Sequence, residues 1–222
     1  MLPLRDSQPS YSRPFVSIGL IVLNVAVFLY EVSLDAFSAN HFLAAYGLVP
    51  SRFEPASVIT YMFLHGGWMH LIGNMWFLWI FGDNVEDILG HGKYLLFYLA
   101  CGVAAVLVHV ALDPGSRIPT VGASGAIAGV MGAYLVKFPH ARIVTLIFIV
   151  VFITTVDVPA YLILAYWFVI QLFSGIGSIG FSTASGGGVA WFAHVGGFLA
   201  GAGLILVLRT RRRYRHHGEL RW

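Results

Sequence analysis

Gly122-Ala123-Ser124-Gly125-Ala126-Ile127-Ala128-Gly129 puts a single hydroxyl at the mouth of an apolar, small-residue helix. Gly125 and Gly129 form a small-xxx-small face of the kind that lets membrane helices approach closely, and a serine on such a face ordinarily serves packing. The apolar run that follows, 124–138, holds about 15 residues, too few at 1.5 Å each to cross a ~30 Å hydrocarbon core. Its N-terminus is therefore expected inside the bilayer. Non-helical backbone at that depth is tolerated only where protein covers it or where it lines a water-filled cavity, so the Gly122–Gly125 turn predicts a cavity that reaches Ser124. A helix start also presents unpaired N–H groups and a positive dipole end, which suit a developing oxyanion.

The surrounding chain is that of a membrane protein. Of its 222 residues 58% are hydrophobic and 10% charged, and a mean hydropathy of +0.80 lies outside the soluble range. Six stretches qualify as spans, at about 15–32, 65–82, 94–112, 124–138, 158–173 and 190–208. The expected architecture is an all-α bundle of six transmembrane helices with a long first extracytoplasmic loop. It divides into a cytoplasmic N-terminal tail (1–14), one membrane domain (15–208) and a basic cytoplasmic C-terminal tail (209–222). The N-terminal stretch lacks the pattern of a cleaved signal peptide, so the first apolar run reads as a retained span. Cys101 is the single cysteine and reads as a small packing residue.

Residues 143–156 are apolar enough to insert, but they are short, rich in β-branched side chains and closed by Asp157 and Pro159. They read as an interfacial or extended segment. Charge supports that choice. With six spans and an inside N-terminus, only Arg52 and Arg117 of the 13 Lys and Arg residues fall outside, the positive-inside bias with both termini cytoplasmic. A seventh span would move the arginine-rich 209–221 outside. That cluster is a topology signal, and no nucleic-acid partner is expected. The long connection 33–64 mixes Phe37, Phe42, Tyr46, Phe53, Tyr61 and Phe63 with few charges, as in a structure lying partly in the membrane interface. Residues 174–188 are Gly/Ser-rich and read as a flexible loop. No inverted repeat of the transporter kind is present.

Polar side chains inside spans need a partner or a task. The candidates are Asn24, His65, His70, Asn74, His109, Ser124, Gln171 and His194. Ser124 lies 13 residues above Lys137, His70 lies 13 above Asp83 and His194 lies 15 above Arg209, so all three sit about 20 Å above the cytoplasmic side. They share one layer. Serine needs a base to become a nucleophile, and a neutral histidine is the usual one. His194 stands at the right depth, and Gly197 and Gly201 repeat the small-residue spacing that would let its helix approach that of Ser124. His70 and Asn74 are four apart and share a helix face, which suits either interhelical hydrogen bonding or donors around an oxyanion. Zinc held by His65, His70 and His194 is an alternative, but there is no His-Glu-x-x-His and no acidic residue is expected at this depth. The Ser-x-Gly elbow of soluble hydrolases is absent, because position 126 is alanine.

In combination, order and spacing, His65-Gly-Gly-Trp-Met-His70-Leu-Ile-Gly-Asn74, the following Gly82…Glu86, Gly122-Ala-Ser124-Gly125 and Ala193-His194-Val-Gly-Gly197 resemble the rhomboid family of intramembrane serine proteases. The resemblance runs from the first span to Gly201. It implies a six-helix core, a Ser124–His194 dyad without an acidic third member, and His70, Asn74 and the Ser124 amide around the oxyanion, with His65, Gly122, Gly125, Gly197 and Gly201 in support. It further implies cleavage of substrate transmembrane segments near their extracytoplasmic end, with no cofactor and no metal. Many family members carry an aromatic residue four positions after the serine, where this chain has Ala128, and the Trp-Arg pair that often marks the first outside loop is missing from 52–62. The loop 174–188 resembles the segment that covers the active site in relatives, with Phe181 as a plug. The expected partners are transmembrane-helix substrates and membrane lipid, with the oligomeric state open. A rhomboid-like protein that binds membrane helices without cleaving them is the alternative; a transporter is disfavoured by the missing repeat and the missing intramembrane carboxylate. The compact, tail-poor build points to a bacterial plasma membrane.

Overall fold

The apolar runs become helices and the β-branched run becomes a hairpin. The structure, a computed structural model, describes residues 2–149, 152–178 and 190–211. In chain order these form β1 (Leu2–Asp6), α1 (Phe15–Ser33), α2 (Ala36–Tyr46), α3 (Ser57–Thr60) with a 3-10 turn over Tyr61–Phe63, α4 (Trp68–Leu89), α5 (His91–Leu112), α6 (Ser124–Lys137), β2 (Arg142–Ile149), β3 (Phe152–Pro159), α7 (Ala160–Ser178) and α8 (Trp191–Val207). Among the described residues, three helices are long and apolar enough to cross a membrane: Phe15–Ser33, His91–Leu112 and Ala160–Gly177. α6 and α8 are shorter apolar helices, and α4 carries Asp83, Glu86 and Asp87 towards its C-terminal end. The chain is a mostly helical membrane protein.

The expectation of an all-α fold is corrected by a three-stranded antiparallel sheet in the order β1-β2-β3. The 143–156 run is extended, as its β-branched content requires: β2 pairs with β3 from Arg142↔Pro159 to Ile149↔Phe152. The N-terminal segment expected to be a tail instead adds β1 to β2, from Leu2↔Leu146 to Asp6↔Ile143. The two edges of β2 are thereby both occupied. The Gly/Ser-rich stretch also starts later than its composition suggested, since α7 continues through Ser174 to Ser178; the rest of that stretch, with Phe181, lies outside the described residues.

α6 is the central helix. Every residue from Gly125 to Tyr134 is buried, and α6 packs against α4, α5 and α8, with its most extensive contact on α8. Small residues make that contact possible. A Cβ at Gly197 would lie 2.9 Å from the Gly125 carbonyl carbon, and one at Gly129 would lie 3.1 Å from the Gly197 carbonyl oxygen. Cys101 is buried on α5, and a Cβ at Gly129 would meet its sulfur at 2.5 Å.

The end of the bundle opposite Ser124 is tied by carboxylates. The buried Glu86 side chain accepts from the Val16 and Ser17 N–H groups at 2.9 and 2.8 Å and from the Ser17 hydroxyl at 2.8 Å; it also meets His91 Nδ1 at 2.6 Å. These bonds cap the first turn of α1, whose leading N–H groups have no helical acceptor. Asp87 receives the Ser12 hydroxyl and the Tyr11 N–H. Asp6 accepts from the Tyr134 hydroxyl at 2.5 Å, which fastens β1 to α6. Gly90, with φ +78°, turns α4 directly into α5 in a conformation that favours glycine.

Candidate functional site

The turn before α6 is built from two long-range anchors. The Gly122 N–H donates to the Tyr61 carbonyl at 2.9 Å, and the buried Tyr61 hydroxyl donates to the Gly102 carbonyl at 2.7 Å. Gly122 has φ +122°, a region L side chains rarely occupy. Space demands glycine as well, because a Cβ here would lie 2.7 Å from the His70 ring and 3.7 Å from Asn74 Nδ2. The same turn that starts α6 at Ser124 thus faces the two polar side chains of α4.

Ser124 and His194 meet. The Ser124 hydroxyl stands 2.7 Å from His194 Nε2, across the α6–α8 contact that Gly125 and Gly197 permit. On its other side the imidazole meets a residue that had no assigned role in the sequence: His194 Nδ1 lies 2.6 Å from Gln171 Oε1 on α7. An amide oxygen only accepts, so Nδ1 carries the proton and Nε2 is left to accept from the serine hydroxyl. The ring is flanked by Trp167, 5.8 Å between centroids and tilted by 39°, and by Trp191 at 6.3 Å, edge to face. The two indoles belong to α7 and α8, whereas position 128 on α6, where many family members carry an aromatic, holds alanine. Ala128 is fully buried.

A cavity of about 520 Å³ opens over these groups, lined among others by His70, Asn74, Gly122, Ser124, Gly125, Trp167 and His194. It has the size of a ligand site. Asn74 is buried and its Nδ2 has no hydrogen-bond partner among the described residues, so an unmatched donor stands at the cavity wall. His70 Nδ1 accepts from the Gly66 N–H at 3.3 Å, which leaves its Nε2, the nitrogen nearest Gly122, as the donor. Gly201 lies one turn beyond Gly197 in the α6–α8 seam and away from the cavity.

His65 is placed behind the site. It is buried, does not line the cavity, and packs its ring edge-on to His70 at 5.2 Å. Its N–H donates to the buried carboxylate of Glu31 on α1, at 3.3 Å to each oxygen. The expectation of no acidic residue at this depth is therefore corrected. The signal was available, since Glu31 is the one charged residue of the first span, but its position at the rim of that span made it look solvated.

The comparisons agree with this frame. The Rhomboid domain family matches residues 52–211. Rhomboid protein 1, mitochondrial, of Saccharomyces cerevisiae is 32% identical over 137 residues, covering 59% of this chain and 38% of that protein. Presenilin-associated rhomboid-like protein, mitochondrial, of Homo sapiens is 32% identical over 141 residues, covering 62% and 36%. Rhomboid protease GluP of Bacillus subtilis is 30% identical over 135 residues, covering 59% and 25%. The matched region thus spans well under half the length of these relatives. Since most of them are named as mitochondrial, they lend the expected bacterial plasma membrane no support. With a Rhomboid domain covering well over half of its length and apolar helices packed around the small-residue seam of α6 and α8, this membrane protein belongs to the rhomboid family.

Proposed function

We propose that the protein is an intramembrane serine endopeptidase that hydrolyses peptide bonds in or near the transmembrane segments of other membrane proteins. The observation that carries this reading is the 2.7 Å contact between the Ser124 hydroxyl and His194 Nε2 inside the cavity. In this reading the membrane domain is a bundle of six membrane-embedded helices, α1 and α4 to α8, with the short α6 beginning at Ser124 within the bilayer; both termini and the β-sheet lie on the cytoplasmic side, and the cavity opens towards the other.

A substrate helix enters between α4, whose Met69, Gly73 and Phe77 line one wall, and α7, whose Trp167 lines another. Local unwinding exposes a peptide carbonyl. Ser124 Oγ attacks the carbonyl carbon while its proton passes to His194 Nε2, and the negative oxygen is met by Asn74 Nδ2, His70 Nε2 and the Ser124 N–H. His194 returns the proton to the leaving amine as the C–N bond breaks. A water entering from the cavity then attacks the acyl-enzyme, gives its proton to His194 and releases the acid, and Ser124 regains its hydrogen. The unmatched Asn74 amide supports the oxyanion role, because a buried donor without a partner costs about 1–3 kcal/mol in the resting protein.

The test is cleavage of a panel of labelled single-span proteins by the purified protein in detergent and in liposomes, with Ser124→Ala and His194→Ala alongside. Cleavage by the wild type and its loss in both folded variants is the expected result. A wild type that leaves the panel intact and is not labelled by a fluorophosphonate overturns the reading in favour of non-catalytic helix binding.

A further inference from the structure

We infer that Gln171 is a positioning residue for the base, so that Ser124, His194 and Gln171 act as a triad whose third member is a neutral amide carried on a different helix from the other two. The inference rests on the protease reading of Ser124 and His194 and goes beyond it by assigning what holds the imidazole.

Three observations carry it. Gln171 is buried, and its Oε1 lies 2.6 Å from His194 Nδ1. It also sits on the inward stripe of α7, with Leu164 and Gly175 buried and Trp167 and Phe168 partly so. Every other member of that stripe is apolar or glycine, and packing alone would be served by a leucine or methionine. A polar side chain at such a position is costly unless its hydrogen bond is made. Finally, Trp167, one turn before Gln171 on the same face, lies against the same imidazole. Helix α7 therefore grips the ring twice, by a hydrogen bond that selects the Nδ1–H tautomer and by an indole that limits its tilt.

The tautomer is what the chemistry needs. A serine hydroxyl can pass its proton only to an unprotonated Nε2, and an imidazole free to hold its proton on either nitrogen spends part of its time in the form that cannot accept. The Gln171 oxygen removes that form. When the imidazolium forms, the same oxygen accepts a stronger, charge-assisted bond from Nδ1–H. A neutral amide gives this stabilisation without placing a carboxylate in the membrane.

The test compares Gln171→Met, which keeps length and removes the acceptor, with Gln171→Glu, which keeps an acceptor oxygen. Gln171→Met is expected to lower kcat and the rate of fluorophosphonate labelling of Ser124 by roughly ten- to a hundredfold, with KM within about twofold of the wild type, because the substrate-lining walls are untouched. Gln171→Glu is expected to recover much of the labelling rate. Independently of activity, the 15N imidazole resonances of His194 are read in a Ser124→Ala background and assigned by comparison with Ser124→Ala/His194→Gln. They are expected to report Nδ1–H with Gln171 present and a mixture of the two tautomers once Gln171→Met removes the acceptor. Wild-type labelling that persists unchanged in Gln171→Met, or an Nε2–H imidazole beside an intact Gln171, overturns the inference while leaving the protease reading in place. Failure of the wild type itself to be labelled overturns the protease reading instead.

Discussion

The substitution Gly197→Ala isolates the role of the α6–α8 seam. A methyl at position 197 would stand 2.9 Å from the carbonyl carbon of Gly125, closer still to its oxygen, and 3.3 Å from the Ala105 methyl. Nonbonded carbons rest at about 3.5–4.0 Å, and neither the backbone of α6 nor the rigid alanine on α5 can rotate away. The seam must therefore open by about 1 Å to reach ordinary contact. Position 197 is one turn from His194 and Gly125 follows Ser124, so the same movement stretches the 2.7 Å Ser124–His194 contact beyond the ~3.0 Å limit of a normal O–H hydrogen bond. A displacement of this size is expected to lower the rate of Ser124 labelling and of substrate cleavage roughly a hundredfold. Overpacking is expected to cost about 1–3 kcal/mol. Gly203→Ala supplies the control, since a Cβ there meets nothing within 4 Å on the same helix; it should be neutral or slightly stabilising through helix propensity. Fluorophosphonate labelling rates and thermal unfolding in detergent measure both effects. Wild-type labelling and stability in Gly197→Ala would refute the claim that glycine contact sets the distance between serine and base.

Asn74→Leu should reduce kcat by roughly a hundredfold with little change in fold stability, because it removes an unpartnered cavity donor; an unaltered kcat in cleavage assays would remove Asn74 from the oxyanion. Gly122→Ala combines a strained φ with a methyl 2.7 Å from the His70 ring and should lose about 1–3 kcal/mol as well as activity, read by thermal unfolding and labelling together. Glu86→Ala strips the acceptor from two N–H groups and a hydroxyl of α1 and should destabilise the protein by about 1–3 kcal/mol while leaving the labelling rate of the folded fraction unchanged. Burial, reinforced by Asp83, pushes the Asp6 carboxyl up to about 7, against the Tyr134 hydroxyl bond, which lowers it. The folded protein then holds that proton more tightly than the unfolded chain, so stability falls as pH rises from the ordinary carboxyl value of 3.8 through about 7 and levels beyond it. Asp6→Asn should flatten that slope in thermal scans; identical slopes would exclude Asp6 as its source.

Much of the site was legible because depth is a local property. Helix rise converts residue number into height, so Lys137, Asp83 and Arg209 were enough to place Ser124, His70 and His194 in one layer, and they line one cavity. The extended state of 143–156 was likewise written in its β-branched content. Gln171 stood among the intramembrane polar residues, yet nothing in its spacing paired it with His194, because the rotation of α7 about its own axis depends on which face α8 and α6 accept. Glu31 was missed for a related reason: the end of an apolar run looks like a water boundary until the fold brings the His65 N–H against its carboxylate.

Composition and charge alone determine that the chain is a membrane protein with apolar helices, and the order of its motifs identifies its family. Those properties follow from hydrophobic transfer and helix rise, which act on each segment separately. Pairing β1 with the hairpin, continuing α7 through Ser174 to Ser178, and bringing Gln171 from α7 to the far side of an imidazole on α8 were decided by packing between segments distant in the chain. Such contacts depend on azimuth and on the few tenths of an ångström that glycine allows, and neither is encoded in any single stretch of sequence.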